Sequence, residues 1–116
     1  MNTTTKVEAE AAYDIDALKG ANPGRDLSLF ENEEYGIEWV VKTPLPGDYQ
    51  AFRAQQNSAG DDLVPVIKSF CMTHIVWPSP AEVRDAFKRY PALIEPAVKA
   101  VLKLAGAKAE FSVKKL

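Results

Sequence analysis

A chain of 116 residues is long enough for one compact domain and too short for two. Hydrophobic residues make up 47% and charged residues 26%, ordinary values for a globular protein that exclude the collagen-like and fully disordered classes. The formal net charge of -2 gives no basic excess that would argue for nucleic acid, and a single cysteine excludes an intramolecular disulfide.

The N-terminal segment is polar. Residues 1–12 lack an apolar core and apolar periodicity, so we expect a mobile tail rather than a secretory signal. The densest apolar stretch, Leu63–Trp77, is interrupted by Lys68 and His74 and is shorter than the ~18 apolar residues of a membrane span. We therefore expect a cytoplasmic protein with no membrane partner, folded as a single domain over residues 13–116.

The first elements after this tail are a short helix and a turn. Asp14–Gly20 is predicted to be a helix that Asp14 caps and Gly20 stops. Asn22–Gly24 has the composition of a turn.

A hairpin is predicted over about residues 26–42. Asp26–Glu31 alternates between apolar and polar residues, and Tyr35–Lys42 is rich in β-forming residues. The polar connector Glu31–Glu34 has hairpin length. Because a lone hairpin is marginal in water, these two strands must pack on the helices that follow.

The helical part is predicted over about residues 46–106. Its first helix begins at Pro46, places Tyr49 and Phe52 on one face, and fades near Asn57–Gly60. The second begins at Asp61 and Asp62, whose carboxylates favour a helix N-terminus. This second helix runs to a stop at residues 77–80 and is predicted to be the central core helix. Its apolar stripe comprises Leu63, Ile67, Phe70, Cys71, His74 and Ile75.

Two further helices follow. Ser79 and Glu82 have the spacing of a capping box, and the helix they begin carries the apolar stripe Val83, Ala86, Phe87 and Tyr90. The last helix ends near Gly106, a C-cap candidate, and Glu110–Leu116 is either a strand or a tail. The predicted fold is α+β, an N-terminal antiparallel hairpin packed on a bundle of about four C-terminal helices.

Cys71 and His74 are the strongest candidates for chemistry, because at this spacing they share a helix face. Zinc needs three or four ligands, and no other cysteine or histidine exists to complete a site. A nucleophile–base pair is the alternative, but the apolar surroundings of Cys71 favour core packing and an inert thiol. We predict no catalytic residue, no metal site and no cofactor.

Partner-binding residues are sought among the exposed aromatic and basic side chains. Trp77 lies at an interhelix joint beside Pro78, and Tyr90 lies at the next joint. Arg84 and Lys88 are four residues apart and align on one helix face. Trp77, Tyr90, Arg84 and Lys88 are the predicted partner-binding residues, although core packing for the aromatic pair and a solvated face for the basic pair stay open. Nucleic-acid binding by Arg84, Lys88 and Arg89 ranks last.

The segment Leu63–Gly106 resembles small tail-assembly-chaperone-like proteins of tailed bacteriophages. The likeness is carried by Phe70–Ser79 with its Trp-Pro-Ser joint, by Glu82–Phe87, by Arg89–Leu93 with its Tyr-Pro joint, and by the closing Leu102–Gly106. Upstream, the hairpin, the Lys42-Thr-Pro44 joint and a helix with Tyr49 and Phe52 fit the same pattern.

The resemblance implies a non-enzymatic phage or prophage assembly protein that binds another tail protein, usually the tape-measure protein, in the host cytoplasm. A small structural protein retained in the virion is one alternative, and a thiol-dependent enzyme using Cys71 and His74 is a less favoured one. A homo-oligomer is also compatible with the sequence.

Overall fold

The computed structural model describes residues 13–106 and 112–116. In chain order its elements are α1 (Ile15–Ala21), β1 (Leu27–Asn32), β2 (Ile37–Lys42), α2 (Pro46–Ser58), α3 (Val64–His74), β3 (Ile75–Trp77), α4 (Pro80–Arg89), a 3-10 turn (Pro91–Leu93) and α5 (Ile94–Leu104). The predicted α+β class, with a hairpin preceding a set of helices, is confirmed. The predicted tail, residues 1–12, lies outside the described residues.

The antiparallel hairpin β1–β2 is confirmed, with its turn two residues later than predicted. Asn32 still belongs to β1, and its side-chain oxygen accepts a hydrogen bond of 3.1 Å from the backbone N–H of Tyr35. The turn closes through the N–H of Gly36, which donates to the carbonyl of Glu33 at 3.2 Å. Gly36 has a φ of 66°, a left-handed conformation that glycine adopts at low cost.

The predicted second helix is wrong at both ends. It begins at Val64 without a side-chain cap, because Asp61 lies in the turn that Gly60 makes with a φ of 67°. It ends at His74, and the next three residues form β3, which pairs antiparallel with β2. Ile75–Trp77 is a run of β-branched and aromatic residues, which favour a strand at the free edge of the hairpin. The helix cannot continue through Pro78, because proline has no backbone N–H to donate.

The other helix boundaries follow the predicted caps closely. The carboxylate of Asp14 accepts from the N–H of Ala17 at 3.1 Å, but α1 ends at Ala21 and is capped by Asn22, so Gly20 is not the stop. The hydroxyl of Ser79 accepts from the N–H of Glu82 at 3.4 Å, which is one of the two bonds of the predicted capping box. The Glu82 carboxylate accepts from the Ser79 hydroxyl at 3.4 Å, in place of the predicted bond from the Ser79 backbone N–H.

The chain leaves the last helix at a glycine. Gly106, with a φ of 99°, follows the C-cap of α5. Residues 112–116 of the predicted strand or tail have no regular secondary structure. Residues 107–111, which include its first two residues, lie outside the described range. Within that range, no helix has both the length and the hydrophobicity to cross a membrane.

The main core lies between the sheet and helices α2 to α5. α3 is central, as predicted, because it packs against both α2 and α5. Phe52 is buried in this core, but Tyr49, predicted to share its face, remains 40% exposed. The buried side chains of the core cluster are Trp39, Val41, Phe52, Phe70, Cys71, Ile75, Val83, Phe87, Ala97 and Val101.

Candidate partner-binding groove

A groove of about 410 Å³ lies between the hairpin turn, the end of β3 and one side of α4. We call it the aromatic groove. Four aromatic residues line it, namely Tyr35, Trp39, Trp77 and Tyr90. Four charged residues line it as well, namely Glu38, Glu82, Asp85 and Arg89.

The helical repeat of α4 determines which of its side chains reach the groove. Glu82, Asp85 and Arg89 follow an i, i+3, i+7 spacing and therefore lie on one side of the helix. Val83 and Phe87 lie on the adjacent side and are buried in the core. The buried side fixes the rotation of α4, so the charged side must line the groove.

Each of the four rings makes an aromatic contact. The Trp39 ring packs edge-on against Phe87 with 5.6 Å between centroids, and Trp39 is only 5% exposed. The Tyr35 and Tyr90 rings lie 4.8 Å apart and bridge the hairpin turn to the end of α4. Tyr35 is nevertheless 41% exposed, so it forms an accessible rim above a buried floor.

Trp77 lies at the other end of the groove. Its strand position pairs with Val40, and cross-strand partners project to the same sheet face. Its ring lies 5.3 Å from that of Tyr13, with an interplanar angle of 54°. Trp77 is only partly buried, which leaves part of its indole available to a partner.

The charges of the groove sum to a negative excess. Glu38 comes from β2, whereas Glu82 and Asp85 come from α4, so acidic residues from both elements line the groove. In the described part of the chain, none of the three forms an ion pair within 4.0 Å, although Arg89 lines the same groove.

The structure brings together two of the four predicted partner-binding residues. Trp77 and Tyr90 both line the aromatic groove. Arg84 and Lys88 lie on another side of α4, where Arg84 borders a separate shallow pocket beside Met72. Both basic side chains are exposed, and their role stays a prediction.

Sequence reasoning missed the acidic residues of the groove. The spacing of Glu82, Asp85 and Arg89 places them on one helix side, but it does not show that this side faces a groove. Glu38 and Tyr35 carried no signal either, because only the pairing of the hairpin with α4 brings them to this place.

Cys71 and His74 are buried in the core, as predicted. Cys71 has no exposed surface, and burial raises the pKa of its thiol to about 12. A thiol in this state is protonated at neutral pH and closed to substrate. His74 hydrogen-bonds elsewhere: its Nδ1 donates to the carbonyl of Phe70 at 2.8 Å, and its Nε2 lies 3.4 Å from Oδ2 of Asp48.

Asp48 is the centre of a polar cluster that the sequence did not predict. Its Oδ2 accepts from the backbone N–H of Leu45 at 2.8 Å and from the guanidinium of Arg25 at 3.0 Å. The pKa of Asp48 is lowered, first by the Leu45 hydrogen bond and then by His74 and Arg25, against an opposing effect of burial.

This cluster has a structural role. Arg25 also donates to the carbonyl of Thr43 at 2.8 Å, so it ties the start of β1 to the connector before α2. Because a carbonyl only accepts, Nδ1 of His74 carries the proton of its bond to Phe70, and Nε2 faces Asp48. The described residues contain no group of three or more histidine, cysteine or acidic side chains arranged to hold a metal.

Comparison with known proteins supports the fold. No protein-family model matches this sequence, and a search of curated proteins gave no significant match. Among solved structures, the chain is similar to an uncharacterised protein from Bacillus stearothermophilus, with a TM-score of 0.65 and 23% sequence identity. The match covers 87% of this chain and 100% of that one. At this level of identity the likeness concerns the fold alone.

Proposed function

We propose that this protein is a non-enzymatic binding protein whose aromatic groove receives a segment of another protein. The observation that carries the proposal is the meeting of Tyr35, Trp77 and Tyr90 in one open groove. Tryptophan, tyrosine and arginine are enriched at protein interfaces and supply most hot spots. All three residue types line this groove, and the exposed Tyr35 lies at its rim.

The proposal extends to the assembly role that the resemblance to tail-assembly-chaperone-like proteins implies. The partner is then another phage tail protein, of the tape-measure kind, bound in the cytoplasm of a bacterial host. The joints that carry the resemblance, Trp77–Ser79 and Tyr90–Pro91, flank α4, and their residues Trp77, Pro78 and Tyr90 line the groove. Two joints of one recognised pattern beside one groove support a shared binding role.

The burial of the thiol also supports a binding role over catalysis. A thiol-dependent enzyme needs a thiolate that substrate can reach. Cys71 has no exposed surface and a raised pKa, and His74 directs its hydrogen bonds to Phe70 and Asp48.

The test is an affinity pull-down of the tagged full chain from its native host cells, read by mass spectrometry. Tyr35→Ala and Tyr49→Ala form a matched pair, because the two side chains are 41% and 40% exposed and only Tyr35 lines the groove. We expect a long tail protein with the wild type and with Tyr49→Ala, and about tenfold less with Tyr35→Ala, as removal of a hot-spot tyrosine implies.

Two results would contradict the proposal. Equal capture by both tyrosine variants would remove the groove from the interface. Capture of metabolic enzymes alone would remove the assembly role. Recovery of the protein in purified particles would favour the alternative of a structural component retained in the virion.

A further inference from the structure

We infer that the aromatic groove selects a partner segment that presents a lysine or arginine side chain between apolar residues. The inference rests on the proposed function, since it takes the groove as the docking surface. It adds the chemistry of the segment that docks there.

The charge of the groove favours a cationic side chain. Glu38 from β2 and Glu82 and Asp85 from α4 are three acidic residues that line one concavity, and Arg89 offsets only one of their charges. None of the three is ion-paired with another residue of the described chain. Like charges gathered in a groove repel one another, and an entering cation turns this repulsion into attraction.

The aromatic lining of the groove also favours a cationic side chain. The faces of tryptophan and tyrosine rings attract cations through the ring quadrupole. Lysine and arginine also carry an apolar stem that packs on such rings while the charged head stays near polar groups. Trp77 and Tyr35 stand at the two ends of the groove, so one side chain can lie along aromatic surface and end among carboxylates.

Segments without a basic side chain fit the groove less well. A purely apolar segment would cover Glu82 and Asp85 and desolvate them without compensation. An acidic segment would add to a negative excess that is already present. A volume of about 410 Å³ is near the lower end for ligand pockets, roughly 300–1,000 Å³, so the groove takes a few side chains rather than a folded element.

The chain offers its own reporter for a test. It contains 2 tryptophans, Trp39 and Trp77, and both line the groove. Tryptophan emission of the full chain therefore reports on this site. Three acetylated, amidated hexapeptides serve as probes: Gly-Leu-Lys-Leu-Arg-Gly, the same peptide with glutamine at both basic positions, and the same peptide with glutamate there.

We expect a saturable emission change with the basic peptide, at least tenfold weaker binding of the glutamine peptide, and no binding of the glutamate peptide. Added salt should weaken the basic complex, because exposed charges are screened. Asp85→Lys should lower affinity for the basic peptide about tenfold. Glu95→Lys changes an exposed acidic residue on α5 outside the groove and should leave that affinity unchanged.

Failure of this inference and failure of the proposed function give different results. If Tyr35→Ala abolishes capture of a tail protein but the groove binds the glutamine peptide as well as the basic one, the inference is wrong and the docking role stands. If no peptide binds and Tyr35→Ala captures partners normally, both are wrong. If the wild type dimerises, Asp85→Lys dissociates it and no peptide binds, the occupant is a second copy and the inference is overturned.

Discussion

Replacement of Phe70 by alanine tests the placement of the central helix α3. Phe70 is 6% exposed, and its ring stacks on that of Phe52 at 4.2 Å with an interplanar angle of 20°. It also lies 4.7 Å from the His74 ring. Truncation of a buried phenylalanine costs about 3–5 kcal/mol, of which the lost aromatic pair accounts for about 0.5–1.5 kcal/mol. Since small domains are stable by about 5–15 kcal/mol, this single change should remove a large part of the total.

The assay is urea unfolding followed by far-ultraviolet circular dichroism. Tyr49→Ala is the control, because Tyr49 lies on α2 like Phe52 but is 40% exposed. Its free energy of unfolding should stay within about 0.5 kcal/mol of the wild type. In a double-mutant cycle, Phe52→Ala and Phe70→Ala should be non-additive by about 1 kcal/mol, because the rings touch. A Phe70→Ala protein as stable as the control would refute the packing of α3 described above.

Three further outcomes are expected. In the folded protein at neutral pH the buried Cys71, with its pKa raised to about 12, should resist a thiol reagent that labels it in urea; fast labelling without denaturant would contradict its burial. Asp48→Asn should destabilise by about 1–2 kcal/mol at neutral pH. The pKa of Asp48 is lowered in the folded protein, so the stability that its carboxylate contributes is fully present above pH 3.8, the ordinary pKa of the group. That contribution is lost as the pH falls through the folded pKa. The free energy of unfolding should therefore fall less steeply with decreasing pH in the variant than in the wild type, and equal slopes would contradict this. Gly36→Ala should cost about 1–2 kcal/mol, whereas Gly20→Ala inside α1 should be neutral or stabilising; the reverse order in melting temperature would exclude the described turn.

The elements that could be predicted from sequence are those encoded locally. The hairpin follows from alternation over Asp26–Glu31, a β-rich run and a polar connector between them. The starts of α1 and α4 follow from Asp14 and Ser79, whose side chains accept from N–H groups three residues later. In each case, the residues that determine the strand pair or the helix start are near neighbours in the sequence.

β3 could not be predicted in this way. A three-residue apolar run has no period that separates strand from helix. Ile75–Trp77 becomes a strand because the free edge of β2, more than thirty residues earlier, offers unpaired backbone groups. The helix pattern of α3 also extended naturally to Ile75, since that residue is buried in either conformation.

The same distinction applies to the sites. The Asp48 cluster joins residues 23 and 26 positions apart, and nothing in the local sequence shows that Arg25 and His74 converge on one carboxylate. In the groove, aromatic residues beside proline at two joints were visible, so Trp77 and Tyr90 could be predicted. The facing side of α4 could not, because Arg84 and Lys88 form as regular a stripe as Glu82 and Asp85. Only the hairpin opposite decides which stripe lines the groove.

The groove is held by the core that it borders. Trp39 forms part of its floor and packs on Phe87, so a side chain of the groove and a side chain of the core are in direct contact. A site whose walls are already fixed loses little conformational entropy on binding, and more of the contact energy then appears as affinity. Mutations of the buried floor and of the exposed rim should therefore have different effects. Truncation of Trp39 should lower stability and binding together, whereas truncation of the exposed Tyr35 should lower binding and remove only the about 0.5–1.5 kcal/mol of its contact with Tyr90 from stability. This difference distinguishes a preformed groove from one that the partner must shape.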